Sequence, residues 1–421
     1  MIQHKSYEIN STNDIELNIK RDSKLEFKVS FDDEKAMKAL FVFIEGCGTD
    51  IYASYNEHIA EFVVKEFACA VLRVNYHCIQ NRPQLGAKTY FDNIDLTILN
   101  STCESLGISL PIKLTPQLNQ NIEEQEFVGL ARYIDDKLES LQNEWKFDVS
   151  KKLTFTYSLQ PTKNEYQNFG LMQALDILNA LCFVRKNYAE FKLAKTPKTL
   201  LFGYSHGAYL ALLCAKFAPW LIDGIVESSA YVTVPLSYIG FGKEIDYEKY
   251  GDLFNELAKT IFVGYSKSLW TSNKNSPHFF SPAHNRIRNV LDEKHLQIYA
   301  SYHKAKIISY HCINDTQCAP VSQKQALHNT LKKLGFDNTL HIATQKDIDG
   351  KFIKNVNGHG MDMSIKMLIQ KELPPLLARD FPHEKDEKRE ISYPSENLEY
   401  HFKEAARGGG IELFIKDLNK T

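Results

Sequence analysis

The chain has 421 residues, 43% hydrophobic and 24% charged, with a formal net charge of −2. That length and composition specify a sizeable packed core and exclude a disordered or fibrous chain. The near-neutral balance gives no electrostatic ground for nucleic acid or an anionic membrane as a main partner.

Met1 to Glu8 carries no apolar core or cleavage site, so no secretory signal is expected. Ile15, Leu17 and Ile19, then Leu25, Phe27, Val29 and Phe31 after the Asp22-Ser23 turn, alternate as a β-hairpin with one apolar face. Leu40–Ile44 is a continuous apolar run that empties into Gly46-Cys47-Gly48, the pattern of a buried central strand and a tight loop. A helix around His58–Phe67 and a second buried run, Cys69–Asn75, follow. Residues 83–150 break the rhythm and read as an insertion. Within them Phe127, Leu130, Ala131, Ile134, Leu138 and Leu141 recur at helical spacing. Leu153, Phe155, Tyr157 and Leu159 alternate with Thr154, Thr156 and Ser158, which predicts a half-buried strand. A helix over about 170–185 comes next.

The pattern then turns regular: strand 199–202, helix 207–217, strand 224–228, strand 306–312, helix 322–334, strand 339–343 and a last helix over about 361–371. Such alternation specifies an α/β fold with a mostly parallel, doubly wound sheet and the antiparallel N-terminal hairpin at its edge. The apolar run 199–221 contains only His206 and Lys216 as chargeable residues, but Gly203 and Gly207 divide it into strand and helix rather than a membrane span. After Pro374-Pro375, residues 383–390 read as a solvated linker. Leu398–Phe402 and Ile411–Ile415, around Gly408-Gly409-Gly410, form a second hairpin. The expected organisation is one domain over 1–375, with insertions at about 83–150 and a lid at about 231–304, and a C-terminal extension over 376–421. The eight cysteines lack dense disulfide spacing and read as reduced thiols, which points to the cytoplasm.

Gly203-Tyr204-Ser205-His206-Gly207 is a G-x-S-x-G motif between an apolar strand and an apolar helix, the setting of a nucleophile elbow. The turn that lifts the hydroxyl clear of the sheet leaves no room for Cβ atoms two residues either side, hence the two glycines. A serine needs a base, and the base a carboxylate, in the chain order serine, acid, histidine. Asp315 follows strand 306–312, and His359 stands between glycines in Asn357-Gly-His-Gly-Met-Asp362; both lie beyond strand ends, where open α/β sheets bind ligands. Glu227 is the rival acid. Oxyanion donors are expected at the backbone N–H of His206 and in the Glu45–Gly48 loop, at Cys47 first and Gly46 second. Cys47 as a nucleophile, and His311, Cys312 and Cys318 as metal ligands, are the weaker readings, since no histidine serves the first and no C-x-x-C pair supports the second. No cofactor and no metal are expected.

The elbow with the Asp315 and His359 loops resembles the α/β-hydrolase superfamily. Ser281-Pro282 before a helix, then a strand and His311-Cys312-Ile-Asn-Asp315, is most similar to its prolyl-oligopeptidase and acetyl-esterase branch. Two departures stand out: the branch's His-Gly before the acid is His311-Cys312 here, and its oxyanion His-Gly is Glu45-Gly46. The whole chain also looks like an uncharacterised bacterial group with that fold. The resemblance implies a serine hydrolase. Prolyl oligopeptidases carry a β-propeller before the hydrolase domain, and only about 38 residues precede the first central strand, so a carboxylic ester is the expected substrate. A peptidase and a non-catalytic binding protein are the alternatives. The partner is then a small ester, with an acylated sugar among the candidates. The aromatic residues of the lid connection (Tyr238, Phe241, Tyr247, Tyr250, Phe254, Tyr265, Trp270, Phe279 and Phe280) are expected mainly to form its own core. Oligomeric state is not legible in the sequence.

Overall fold

The computed structural model describes residues 1–111, 121–236, 243, 253–316, 318–381 and 388–420. In chain order the elements begin β1 (Ile2–Asn10), β2 (Lys24–Asp32), β3 (Ala39–Ile44), α1 (Ser54–Phe67), β4 (Cys69–Asn75), β5 (Lys88–Tyr90), α2 (Asn93–Ser105) and β6 (Asn121–Ile122). They continue α3 (Glu124–Asn143), β7 (Leu153–Gln160), α4 (Leu171–Lys186), β8 (Lys198–Tyr204), α5 (His206–Phe217), β9 (Gly224–Ser228), β10 (Leu253–Glu256) and β11 (Thr260–Ser266). The last are α6 (Pro282–Arg288), α7 (Glu293–Tyr299), β12 (Lys306–Cys312), α8 (Val321–Lys333), β13 (Asn338–Ala343), α9 (Ile365–Ala378), β14 (Glu390–Ser395), β15 (Leu398–Glu404) and β16 (Ile411–Asp417). These divide into two compact units, one of residues 1–77, 169–234 and 281–421, the other of residues 78–168 and 235–280.

The larger unit is built on an eight-stranded sheet of order β1-β2-β4-β3-β8-β9-β12-β13. β1 and β2 are antiparallel, β2 runs antiparallel to β4, and every pair from β4 to β13 is parallel. All six residues of β3 and all seven of β4 are buried, as in strands covered on both faces, with Arg73 and Asn75 the polar members of β4. All twelve residues of α5 are buried as well, so the 199–221 run is interior structure. Among the described residues no helix is long and apolar enough to cross a membrane. This mostly parallel sheet, with strand, sharp turn and buried helix at its centre, is the α/β-hydrolase fold. β14, β15 and β16 add a three-stranded antiparallel sheet to the same unit. Phe402 of β15 stacks on Phe217 of α5, ring centroids 4.2 Å apart, and the Tyr393 hydroxyl donates to the Lys216 carbonyl at 2.6 Å. The Arg288 guanidinium forms a buried pair with Glu16, which also accepts from the Tyr400 hydroxyl at 2.7 Å.

In the smaller unit the sheet runs β10-β11-β7-β5-β6. Phe127, Leu130 and Ile134 of α3 pack with Leu96 and Leu99 of α2 and with Phe155, Tyr157 and Phe262 of the sheet. Inside it the Lys243 ammonium donates to both carboxylate oxygens of Asp95 at 2.9 Å and to Ser158 Oγ at 2.8 Å.

Several elements depart from the sequence reading. β2 pairs with residues 2–10, while Asp14–Ile19 closes as a tight turn in which the Asp14 carboxylate accepts the Leu17 N–H at 3.0 Å. The turn imitates strand alternation, and the true partner is an edge strand with few apolar residues. β7 is buried on both faces: Thr156 and Ser158 point inward to hydrogen-bond Asp95. The last helix begins at Ile365, because Met361 and Asp362 adopt positive φ (59° and 43°) and the Ser364 hydroxyl caps it; it continues through Pro374 and Pro375. The connection 231–304 contains β10 and β11, paired in the β7 sheet. Tyr238, Phe241, Tyr247 and Tyr250 lie outside the described residues, as do residues 383–387 of the expected linker. Beyond that linker the C-terminal segment has three strands, not two.

Candidate active site

Ser205 joins β8 to α5 with φ 52° and ψ −120°, a conformation that costs a non-glycine residue energy and is held by its surroundings. A Cβ on Gly203 would collide with the Gly207 carbonyl, and one on Gly207 with the carbonyl oxygens of Ile44 and Glu45. Both glycines are therefore required, and the second draws the end of β3 against the first turn of α5. The Ser205 N–H donates to the Ser228 carbonyl at 2.8 Å, which fixes the turn to β9.

Two loops bring side chains to the hydroxyl. Ser205 Oγ lies 2.8 Å from His359 Nε2, and His359 Nδ1 lies 2.7 Å from Asp315 Oδ2. With the imidazole proton on Nδ1 donated to Asp315, Nε2 is left to accept from the serine hydroxyl. Asp315 Oδ1 accepts the Ala319 N–H at 3.0 Å. Burial pushes the Asp315 carboxyl up, but the His359 and Ala319 hydrogen bonds outweigh it and hold the group below its ordinary range. The His359 loop is itself pinned: Gly360 N–H donates to Ser229 Oγ at 3.2 Å, the Asn314 amide to the Val356 carbonyl at 2.8 Å, and Met361 is fully buried.

Glu227 is engaged elsewhere. Its oxygens accept from Lys324 Nζ at 2.7 Å and from the Ala230 N–H at 3.0 Å. His311 Nε2 lies 2.6 Å from the Ala319 carbonyl oxygen, and Cys312 Sγ donates to the Val356 carbonyl, so both brace the acid and histidine loops. Cys47 is exposed in the loop after β3.

Three features escape a reading from sequence. The His206 ring is buried between the Tyr231 hydroxyl on Nδ1 and Gln173 Oε1 at 3.0 Å on Nε2, and the Gln173 amide donates to the His77 carbonyl at 3.0 Å. The Tyr76 hydroxyl donates to the Glu45 carbonyl at 2.8 Å, anchoring the loop after β3. The Glu45 side chain is fully buried, and among the described residues neither carboxylate oxygen reaches a hydrogen-bonding partner on another residue. Burial raises its carboxyl to about 8, against the opposing pull of the Arg73 guanidinium. A glutamate after an apolar strand usually faces water, and only the tertiary packing reveals otherwise.

The fold and this arrangement define an α/β-hydrolase-fold protein whose serine, histidine and aspartate form a continuous hydrogen-bonded line. A family model described as "Protein of unknown function (DUF2920)" matches residues 5–412, and the chain belongs to that family. No curated protein matches the sequence. Among solved structures, acylaminoacyl peptidase from Pyrococcus horikoshii is similar at 13% identity and a TM-score of 0.46, over 91% of this chain and 43% of that one. The chain thus spans less than half the length of that peptidase. A Pyrococcus furiosus esterase is similar at 11% identity and a TM-score of 0.42, over 90% of this chain and 94% of that one. The esterase Est22 aligns at 9% identity and a TM-score of 0.44, over 90% of this chain and 78% of its own.

Proposed function

We propose that the protein is a serine hydrolase that cleaves a small carboxylic ester through an acyl-enzyme. One observation carries the reading: the line from Ser205 Oγ through His359 to Asp315, with both links at hydrogen-bond length. Ser205 Oγ attacks the ester carbonyl carbon while its proton passes to His359 Nε2. Asp315 holds the ring by Nδ1 and stabilises the imidazolium that forms. The C–O bond breaks, and the alkoxide leaves with the proton from Nε2. Water, deprotonated by His359, then attacks the acyl carbon, releases the carboxylic acid and restores the serine.

The negative charge on the carbonyl oxygen is assigned to the N–H of His206 and that of Cys47, with Gly46 as the second choice in the same loop. The contact of Gly207 with the Ile44 and Glu45 carbonyls supports this, because it sets the loop beside the elbow. The Tyr231 and Gln173 bonds fix the His206 ring and hence the peptide that donates. An ester is favoured over an amide because an alkoxide is expelled more readily than an amine.

A fluorophosphonate probe should label the wild type and fail to label Ser205→Ala, with aryl acetates turned over and aminoacyl anilides left intact. A wild type that resists the probe sinks the hydrolase assignment; faster turnover of anilides moves it to a peptidase.

A further inference from the structure

The larger unit holds a cavity of about 560 Å³ whose lining differs in chemistry from the serine site. Five stretches of chain wall it: the end of α4 with Tyr188, Lys195-Thr196 before β8, Leu221, Arg389, and the end of β15 with the turn to β16. Lys195 and Thr196 lie just ahead of the N-terminus of β8, whereas Ser205 follows its C-terminus. The length of that strand, roughly 20 Å, separates the two.

Five cationic residues line this cavity (Arg185, Lys186, Lys195, Arg389 and Arg407), against a single acidic one, Glu404. That carboxylate is already committed, accepting from Trp220 Nε1 at 2.9 Å and from Arg389 Nη1 at 3.2 Å. Arg185 donates only to neutral oxygens, Thr199 Oγ1 at 2.8 Å and the Pro197 carbonyl at 3.2 Å. The side chains of Lys186, Lys195 and Arg407 make no hydrogen bond or ion pair among the described residues. Arg407 is also held at φ 61°, a conformation that side chains other than glycine rarely take.

Cations gathered from separate segments repel one another, and an anion between them relieves that cost. Arginine forks fit phosphate oxygens in paired hydrogen bonds. Leu221, Ala405 and Ala406 add apolar wall, and Tyr188 a ring. We propose that this cavity binds an organic polyphosphate of the nucleoside di- or triphosphate kind, phosphates on the cations and organic moiety on the apolar wall. The site is independent of the ester chemistry assigned to Ser205.

Calorimetric titration of the full chain with ATP, ADP, pyrophosphate and citrate tests this at physiological salt. Saturable binding of ATP and ADP is expected, with pyrophosphate weaker for want of the apolar contact. Lys195→Glu with Arg407→Glu, both at exposed positions, should weaken ATP binding by at least about tenfold. Glu404→Gln should tighten it by about threefold or more, since it removes the one opposing charge and keeps an oxygen for Trp220. Absence of saturable ATP binding overturns the proposal. Citrate binding as tightly as ATP, or a double charge reversal that leaves ATP affinity unchanged, overturns it too.

Discussion

The loops that follow β3 and β12 each bury a carboxyl group, and they treat it in opposite ways. After β12, Asp315 is given two donors, His359 Nδ1 and the Ala319 N–H, and its carboxyl is held below the ordinary range. After β3, Glu45 is given none from another residue, and its carboxyl is raised to about 8. Burial acts upward on both; hydrogen bonding to the charged form decides the outcome. An acid that must steady an imidazolium has to be ionised at neutral pH. In the proposed mechanism, an acid whose loop supplies the oxyanion donors does least harm when neutral. The same carboxyl chemistry thus settles in two states because one loop supplies donors and the other withholds them.

The contrast is broken most severely by removing what the charged acid supports. His359→Ala or Ser205→Ala should lower kcat by about 10⁴-fold or more, measured on an aryl acetate. Asp315→Asn should cost about 10³- to 10⁴-fold, because the amide favours the wrong imidazole tautomer. Glu227→Gln serves as the control: a change in kcat below about tenfold is expected, with a loss of folding stability of about 3–5 kcal/mol as the buried Lys324 loses its counter-ion. If the glutamine variant instead loses more activity than Asp315→Asn, the acid belongs to β9.

How far these loops could be read in advance depends on what encodes them. The elbow is legible because sterics dictate its glycines, and the same collisions recur in the fold between Gly203 and Gly207 and between Gly207 and Ile44. His359 is legible because glycines flank it and a helix follows. The central strands are legible because both of their faces are apolar. The polarity of β7 misleads, since Thr156 and Ser158 turn inward to Asp95 and Lys243, residues remote in sequence. Alternation marks the strand but not what lies on each face. Local turn chemistry also outweighs alternation at Asp14–Ile19. The setting of Glu45 is invisible because it is the absence of a partner, which no local pattern records, and the Tyr231–His206–Gln173 line joins three segments with no common motif.

The subtler break is Glu45→Gln. Its carboxyl rises from 4.5 to about 8 on folding, so the unfolded chain ionises first. The stability it allows is present in full below pH 4.5 and is lost as pH climbs through about 8, on the order of 3 kcal/mol by pH 7. Denaturant midpoints of the wild type should therefore fall across that window, and those of Glu45→Gln should fall less. Arg73 from β4 and Asp50 from the loop after β3 face the group with opposite signs, and burial exceeds both, so neither cancels the window. Activity should follow the same group: above about pH 8 the ionised carboxylate belongs to the residue just before Gly46 and Cys47, the donors proposed for the oxyanion, and kcat should decline. In the glutamine variant the plateau should extend to higher pH, with a change of less than about twofold at pH 7. An alkaline limb that is identical in the two proteins would assign it to another group and leave Glu45 a purely structural burden on the loop.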